Sequence, residues 1–211
     1  DELPMIYLIV GGVYAVLEVD SPMGEPRYPS VAKYLVMLSC VNTAIYYRFQ
    51  HLYIIFIATF SAMLVLIMYH HIQIAWRLYT ENRDDDDDEM RKRSKRSRRS
   101  SSHYKNNAIS LRFYIWHYIA FLFVALPIWC LDQFHCGLLL PLYNNLPLMA
   151  KGMTLHVVWH ILSGIATHFF VQFLVACRAN TLGMACGTRC VLGIFPVVVV
   201  MPRDDGDLKR E

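Results

Sequence analysis

Five long apolar runs, separated by short polar segments, constrain the fold of this chain more than any other feature. Each run approaches or exceeds the roughly 17–25 residues that a helix needs to cross hydrocarbon. They are Leu3–Val19, Val31–Phe49, Leu52–Ala75, Ser110–Leu131 and Thr154–Ala176. The chain has 211 residues, of which 55% are hydrophobic, above the ~45–50% typical of soluble domains. The sequence therefore predicts an all-α, polytopic transmembrane helix bundle of five spans, forming a single domain over residues 1–211.

Two prolines refine this prediction. Pro127 lies inside the fourth run and should kink that helix unless neighbouring groups satisfy the carbonyl that it frees. A sixth apolar stretch, Cys190–Met201, contains Pro196 and is too short to span a bilayer. It is predicted to pack as a re-entrant or interfacial segment.

The net charge of +3 is distributed unevenly, with an acidic run at residues 84–89 followed by a basic run at residues 91–99. Such a segment cannot bury enough apolar surface to fold, so residues 81–103 are predicted to form a disordered cytoplasmic loop. Its basic half could bind anionic lipid headgroups, and its serines could be phosphorylated. Nucleic acid is not an expected partner, because anionic lipid already lies close to these cations.

The distribution of Lys and Arg also predicts the orientation of the chain. Cationic side chains are concentrated in the 76–112 loop and at the C-terminus, and both should therefore be cytoplasmic. Counting spans from that loop brings Asp1, Asp132 and the start of the last span to the opposite side of the membrane. Asp132 is expected to help shape the mouth of a site there, to join a partner network, or to be an ordinary helix-end carboxylate.

The start of the last span carries the strongest candidate site. His156 and His160 lie four residues apart in an apolar run, and residues at this spacing share one helix face. Two such imidazoles can chelate one metal ion. Ionisable groups in a membrane favour a functional interpretation, although each histidine could instead hydrogen-bond a neighbouring helix.

The remaining histidines are weaker candidates. His135 could replace a missing ligand, but a hydrated loop histidine is the favoured interpretation. His70, His71 and His117 are expected to be interfacial or interhelical polar groups. His168 is eight residues beyond His160, about two helical turns away, and is too distant to share an ion with both members of the pair.

Four segments, taken in order, resemble the alkaline ceramidases, which belong to a wider group of seven-helix membrane hydrolases that includes the adiponectin receptors. The segments are residues 1–7 (DELPMIY), 129–136 (WCLDQFHC), 156–164 (HVVWHILSG) and 193–197 (GIFPV). The similarity covers nearly the whole chain except the 81–103 loop. The five predicted spans correspond to the last five helices of that family.

The resemblance implies zinc-dependent hydrolysis of ceramide to sphingosine and a fatty acid, in an endoplasmic reticulum or Golgi membrane. It makes His156 and His160 zinc ligands and Asp1 the catalytic carboxylate. The family's third histidine ligand and its oxyanion serine, in an SxxxH pattern, are expected upstream of Asp1. An acidic Ca²⁺-binding segment and a cysteine that pairs with the counterpart of Cys136 are expected there too. This chain by itself is therefore expected to bind zinc weakly and to be inactive.

Two other functions remain open from the sequence. A receptor-like relative could keep the zinc geometry and signal instead of hydrolysing lipid. A non-catalytic membrane remnant could keep the helices alone. The segments Asp1-Glu2-Leu3-Pro4 and Gly193-Ile194-Phe195-Pro196 favour a ceramidase over the receptor-like relative. An SxxxH segment on an apolar helix before Asp1 would favour the enzyme over the remnant.

Overall fold

The computed structural model describes residues 2–49, 53–91, 98–145 and 154–201. Helices dominate, as the apolar runs predict, and the all-α bundle is confirmed. The helices are α1 (Glu2–Leu17), α2 (Pro29–Arg48), α3 (Tyr53–Arg91), α4 (Arg98–Tyr118), α5 (Leu126–Phe134), α6 (Cys136–Asn144) and α7 (Leu155–Thr181), with a π-helical segment (Ile119–Ala125) between α4 and α5. A hairpin of two strands, β1 (Ala185–Val191) and β2 (Phe195–Met201), follows α7.

Three helical segments in the described part of the chain are long and apolar enough to cross a membrane. They are Ile54–Glu81, Lys105–Phe134 and Leu155–Thr181. The apolar part of α1, Leu3–Leu17, is shorter, and α2 carries Lys33 and the buried polar residues Ser39 and Asn42. Length and composition thus support three of the five predicted spans, and the chain is a polytopic membrane protein.

A glycine on α1 permits the close approach of this helix to α3 and to the Phe170 ring of α7. A Cβ atom at Gly12 would lie 3.1 Å from Ile67 Cδ1 and 3.4 Å from Phe170 Cε1, which is tight for carbon contacts. The hydrogen of glycine therefore lets α1 approach both helices. Ile6, on the same helix, and Phe173, on α7, are fully buried in the core that results.

Pro127 widens its helix locally without breaking it. The proline lies in the first turn of α5, directly after the π-helical segment. The backbone N–H of Leu126 donates to the carbonyl of Phe121, five residues earlier. A proline ring clashes with the carbonyl four residues before it and offers no N–H. The π-helical segment accommodates both effects, so the predicted kink takes this form.

The charged segment is more helical than the composition indicates. Helix α3 continues to Arg91 and α4 begins at Arg98, so helix covers much of the predicted loop 81–103, while residues 92–97 lie outside the described residues. Extending an existing helix adds a backbone hydrogen bond for each residue without a new nucleation step. Arg77 and Glu81 are four residues apart and add a weak ion pair within this helix. The distance from Arg77 Nε to Glu81 Oε1 is 4.0 Å.

The predicted re-entrant stretch Cys190–Met201 forms the end of β1, the turn and β2 of the antiparallel hairpin. The register of the two strands runs from Ala185↔Met201 to Val191↔Phe195. Consecutive valines favour an extended backbone because their branched side chains are restricted at χ1. Leu192 and Gly193 form the turn with positive φ values of 53° and 71°, and the N–H of Ile194 donates to the carbonyl of Val191 at 3.2 Å.

Polar side chains of α4 and α7 satisfy outer backbone groups of this hairpin. His168 Nε2 donates to the Pro196 carbonyl at 2.9 Å, and Gln172 Oε1 accepts from the Val198 N–H at 2.7 Å. On β1, the Cys186 N–H donates to Asn106 Oδ1 at 2.9 Å. Buried backbone groups need hydrogen-bond partners, so these contacts give the polar side chains of His168, Gln172 and Asn106 a structural role.

Ionic and hydrogen-bonded contacts fasten one end of the bundle. Arg178, near the end of α7, donates to the main-chain carbonyls of Ser21 and Pro22, which follow α1. The guanidinium of Arg77 donates two hydrogen bonds to the carboxylate of Asp20, at 2.7 and 2.9 Å. These hydrogen bonds hold the pKa of Asp20 below its ordinary value. The end of α1 is thereby joined to α3 and α7.

Candidate functional site

The two predicted metal ligands lie in the first turns of α7. Thr154 caps this helix, and its hydroxyl accepts a hydrogen bond from the Val157 N–H at 3.4 Å. Leu155 also donates its backbone N–H to the Tyr143 hydroxyl at 3.0 Å. Side-chain caps of this kind satisfy N–H groups that the first helical turn leaves without partners. The positions of His156 and His160 are thus fixed by a defined helix start.

The imidazoles of His156 and His160 turn their Nε2 atoms toward one another, at a distance of 3.1 Å. Their ring planes are nearly perpendicular, at 84°. Two nitrogen ligands of one tetrahedral zinc ion, each at about 2.0–2.1 Å, lie roughly 3.3 Å apart. The separation in the protein therefore fits two positions of a tetrahedral zinc site.

The carboxylate of Asp132 contacts the imidazole of His156 on the Nδ1 side of the ring. Its Oδ2 atom lies 3.3 Å from His156 Nδ1, and its side chain is 13% exposed. Helix α5, which carries Asp132, packs on α7, and the rings of Trp129 and Trp159 lie 6.4 Å apart in that contact. Asp132 therefore contacts the candidate site directly.

One histidine of the pair borders a large cavity. His160 contributes to its wall, and the cavity has a volume of about 1380 Å³. It follows α7 as far as Arg178, which is 18 residues from His160 and hence about 27 Å along a helix axis. Most of the lining residues are apolar, and α1 forms the facing wall.

The structure places the other predicted site residues as follows. Asp1 lies outside the described residues, but Pro4 and Met5 of α1 line the same cavity as His160. His135 is exposed at the end of α5, as expected of a hydrated histidine. The side chain of Cys136 is not among those described. Within the described ranges, no third His, Cys, Asp or Glu joins the pair in a cluster that could hold a metal ion.

His71 and His117 lie between helices, in agreement with one of the two predicted settings. His117 Nδ1 contacts the Ala166 carbonyl at 2.9 Å, which joins α4 to α7. His71 is fully buried, and its ring centroid lies 4.2 Å from that of Phe173 and 4.8 Å from that of Tyr114. Neither nitrogen of His71 has a hydrogen-bond partner in the described part of the protein.

The bundle and its paired imidazoles define a polytopic helical membrane protein with a candidate metal site beside a mostly apolar cavity. The family model named Ceramidase matches residues 1–198. The chain therefore belongs to the ceramidase family, and its family-level activity is hydrolysis of ceramide. No curated protein matches the sequence. No solved structure matches it either.

Proposed function

We propose that this protein is a zinc-dependent amidase that hydrolyses ceramide within the membrane, releasing sphingosine and a fatty acid. The convergence of His156 and His160 Nε2 atoms, 3.1 Å apart at the wall of an apolar cavity, carries this proposal. Each isolated feature has a more ordinary explanation. Their combination in a ceramidase-family chain favours lipid amide hydrolysis over a structural role.

His156 and His160 would hold the zinc through their Nε2 atoms. When bound, zinc supplies a Lewis acid that polarises the amide carbonyl and favours deprotonation of the attacking water. Catalytic zinc usually has three protein ligands, and the resemblance to alkaline ceramidases assigns the third to a histidine of an SxxxH segment. The same resemblance assigns support of the developing oxyanion to the serine of that segment.

The cavity suits the substrate. Ceramide carries two long hydrocarbon chains and one amide, so its site needs an extended apolar volume that ends at the catalytic groups. The cavity runs from His160 toward Arg178, between α1 and α7. Helix α1 contributes Leu8 and Gly11 to the wall, and α7 contributes Phe170 and Leu174. The hydrocarbon chains would lie along this wall, with the amide near the histidines.

Asp1 is the proposed proton acceptor. In the proposed reaction the water oxygen bonds to the amide carbon while Asp1 takes the proton of the water. The carbon–nitrogen bond then breaks, and the leaving amine receives a proton from the same carboxyl group. The products are the carboxylic acid and the amine of sphingosine.

The proposed setting is the endoplasmic reticulum or Golgi membrane, with loop 76–112 and the C-terminus in the cytoplasm. The histidine pair then lies at the lumenal end of α7. Arg77 and Arg178, at the opposite end of the bundle, agree with the positive-inside rule. Glycosylation tags inserted near residues 85 and 140 would report the two sides directly, and modification of the tag at 85 would contradict this orientation.

The function is tested by measuring zinc content and ceramide hydrolysis together. The 211-residue chain and any longer natural product that contains it are purified in detergent, alongside His156→Ala, His160→Ala and the exposed control His135→Ala. We expect the longer product to hydrolyse ceramide, and each substitution in the pair to lower its zinc affinity and activity by at least about 100-fold. Full activity in both pair variants would overturn the proposal.

A further inference from the structure

We infer that Asp132 is a positioning residue for the metal site, which fixes the tautomer and ring orientation of His156. This inference rests on the proposed function, because it concerns how a ligand of the same site is presented. Nothing in the i, i+4 spacing of the histidines points to Asp132, which lies 24 residues earlier in the chain. The contact is created by the packing of α5 on α7.

The chemistry of the contact determines the tautomer. An ionised carboxylate only accepts hydrogen bonds, so at 3.3 Å from Asp132 Oδ2 the Nδ1 atom of His156 must carry the hydrogen. In the neutral ring the lone pair is then on Nε2, which is the atom that faces His160. Asp132 therefore presents the nitrogen of His156 that a metal would bind. Without it, the ring could place its hydrogen on Nε2 and lose that capacity.

The setting of Asp132 makes the contact persistent. Its side chain is 13% exposed, whereas that of His156 is 38% exposed, so the carboxylate is the more enclosed partner. The rings of Trp129, one turn earlier on α5, and Trp159 hold the two helices together, and Trp159 also lies against both histidine rings. Rigid neighbours of this kind keep a ligand ring in one orientation.

Asp132 does not occupy a ligand position itself. Its Oδ2 atom lies on the Nδ1 side of the ring, and the two Nε2 atoms converge on the other side. Its action is therefore indirect, through His156. Carboxylates that accept from the second nitrogen of a ligating histidine commonly change metal affinity by about 10–100-fold.

The test compares Asp132→Leu, Asp132→Asn and the neighbouring exposed control Gln133→Ala in the full chain, reconstituted in detergent. Zinc affinity is measured by competition with a chromophoric chelator. We expect Asp132→Leu to weaken zinc binding about 10–100-fold. Asp132→Asn, whose amide oxygen can still accept from Nδ1, should recover much of that loss, and Gln133→Ala should bind as the wild type does.

A second readout needs no metal. Nitrogen NMR of ¹⁵N-labelled histidine in the metal-free protein, assigned through His156→Gln, reports which ring nitrogen carries the hydrogen. We expect Nδ1–H at His156 in the wild type and a shift toward Nε2–H in Asp132→Leu at an unchanged melting temperature. An unchanged tautomer in that folded variant would overturn the inference. Failure of any longer natural product that contains this chain to bind zinc would count against the proposed function alone, since the tautomer is measured separately.

Discussion

Helix α7 carries histidines in two settings, and their difference shows how one side chain acquires different roles. At its start, His156 and His160 direct their Nε2 atoms at one another beside a cavity. Two turns further on, His168 donates its Nε2 hydrogen to the backbone of the hairpin. Both settings lie on the same apolar helix, and burial alone does not distinguish the histidine pair from His168. The partner of each nitrogen decides whether a histidine serves as a ligand or as a structural donor.

The largest expected effect separates the two settings directly. His160→Ala should lower zinc affinity at least about 100-fold, because it removes one of two converging ligands. His168→Ala should leave zinc affinity unchanged and lower the melting temperature, because the Pro196 carbonyl loses its donor. Zinc titration and thermal unfolding of both variants check this. An equal loss of zinc in His168→Ala would remove the distinction.

The hydrogen bond between Gln172 and the hairpin should give the next largest effect, which is on stability alone. Gln172→Leu leaves the Val198 N–H without its acceptor, and an unsatisfied buried donor costs about 1–3 kcal/mol. Thermal unfolding in detergent should show a lower melting temperature, with zinc affinity preserved. Val171→Ala, a change at the neighbouring exposed position, serves as the control. If Gln172→Leu melts no earlier than that control, the side chain does not hold the strand.

His71 provides a contrast to the histidines whose nitrogens have partners. Its ring contacts aromatic groups, and its nitrogens have no partner in the described part of the protein. His71→Phe replaces an unsatisfied polar ring with an apolar ring of similar size, and we expect stabilisation of about 1 kcal/mol. His71→Ala instead leaves a cavity and should cost about 2–4 kcal/mol. Melting temperatures compare the two. A His71→Phe variant as unstable as His71→Ala would reveal a polar role for this ring.

The smallest effect concerns the ion pair between Asp20 and Arg77, whose side chains are 32% and 47% exposed. Because Arg77 lowers the pKa of Asp20 in the folded protein, the pair stabilises the fold above the unfolded-state pKa of about 3.9. That contribution is lost as the pH falls through the lower, folded-state pKa. Asp20→Asn should cost about 0.5–1 kcal/mol at neutral pH.

The pH dependence provides the check on this ion pair. The difference in melting temperature between the wild type and Asp20→Asn should close progressively below pH ~4, where Asp20 takes up its proton. It should also shrink in high salt, since exposed charges are screened. A difference that persists unchanged at low pH would assign the effect to the Asp20 hydrogen bond with Thr181, at 3.3 Å, instead of to its charge.

Much of the fold is readable from local pattern. Apolar runs predict the helices of a membrane bundle because backbone polar groups must be satisfied within each segment. The hairpin was not predictable in the same way, since a short valine-rich run is compatible with several structures. The long extent of α3 was also missed, because composition alone does not report that a helix already formed can be elongated.

The candidate site, like the fold, is only partly predictable from the sequence. The spacing of His156 and His160 predicts a shared face, and the structure confirms that their nitrogens converge. The predicted topology brings Asp132 to the same side of the membrane as the histidines, but its contact with His156 depends on the packing of α5 against α7. The predicted catalytic role of Asp1 remains a prediction, since that residue lies outside the described residues.

The sequence by itself determined that this chain folds as membrane helices and that two imidazoles share one helical face, because both follow from hydropathy and helical periodicity. Only the tertiary structure decided which nitrogen of a histidine meets a carboxylate or a carbonyl. The physical reason is that hydrogen bonds act over about 3 Å, whereas their partners here are brought together by helix packing from positions 24 to 49 residues apart in the chain.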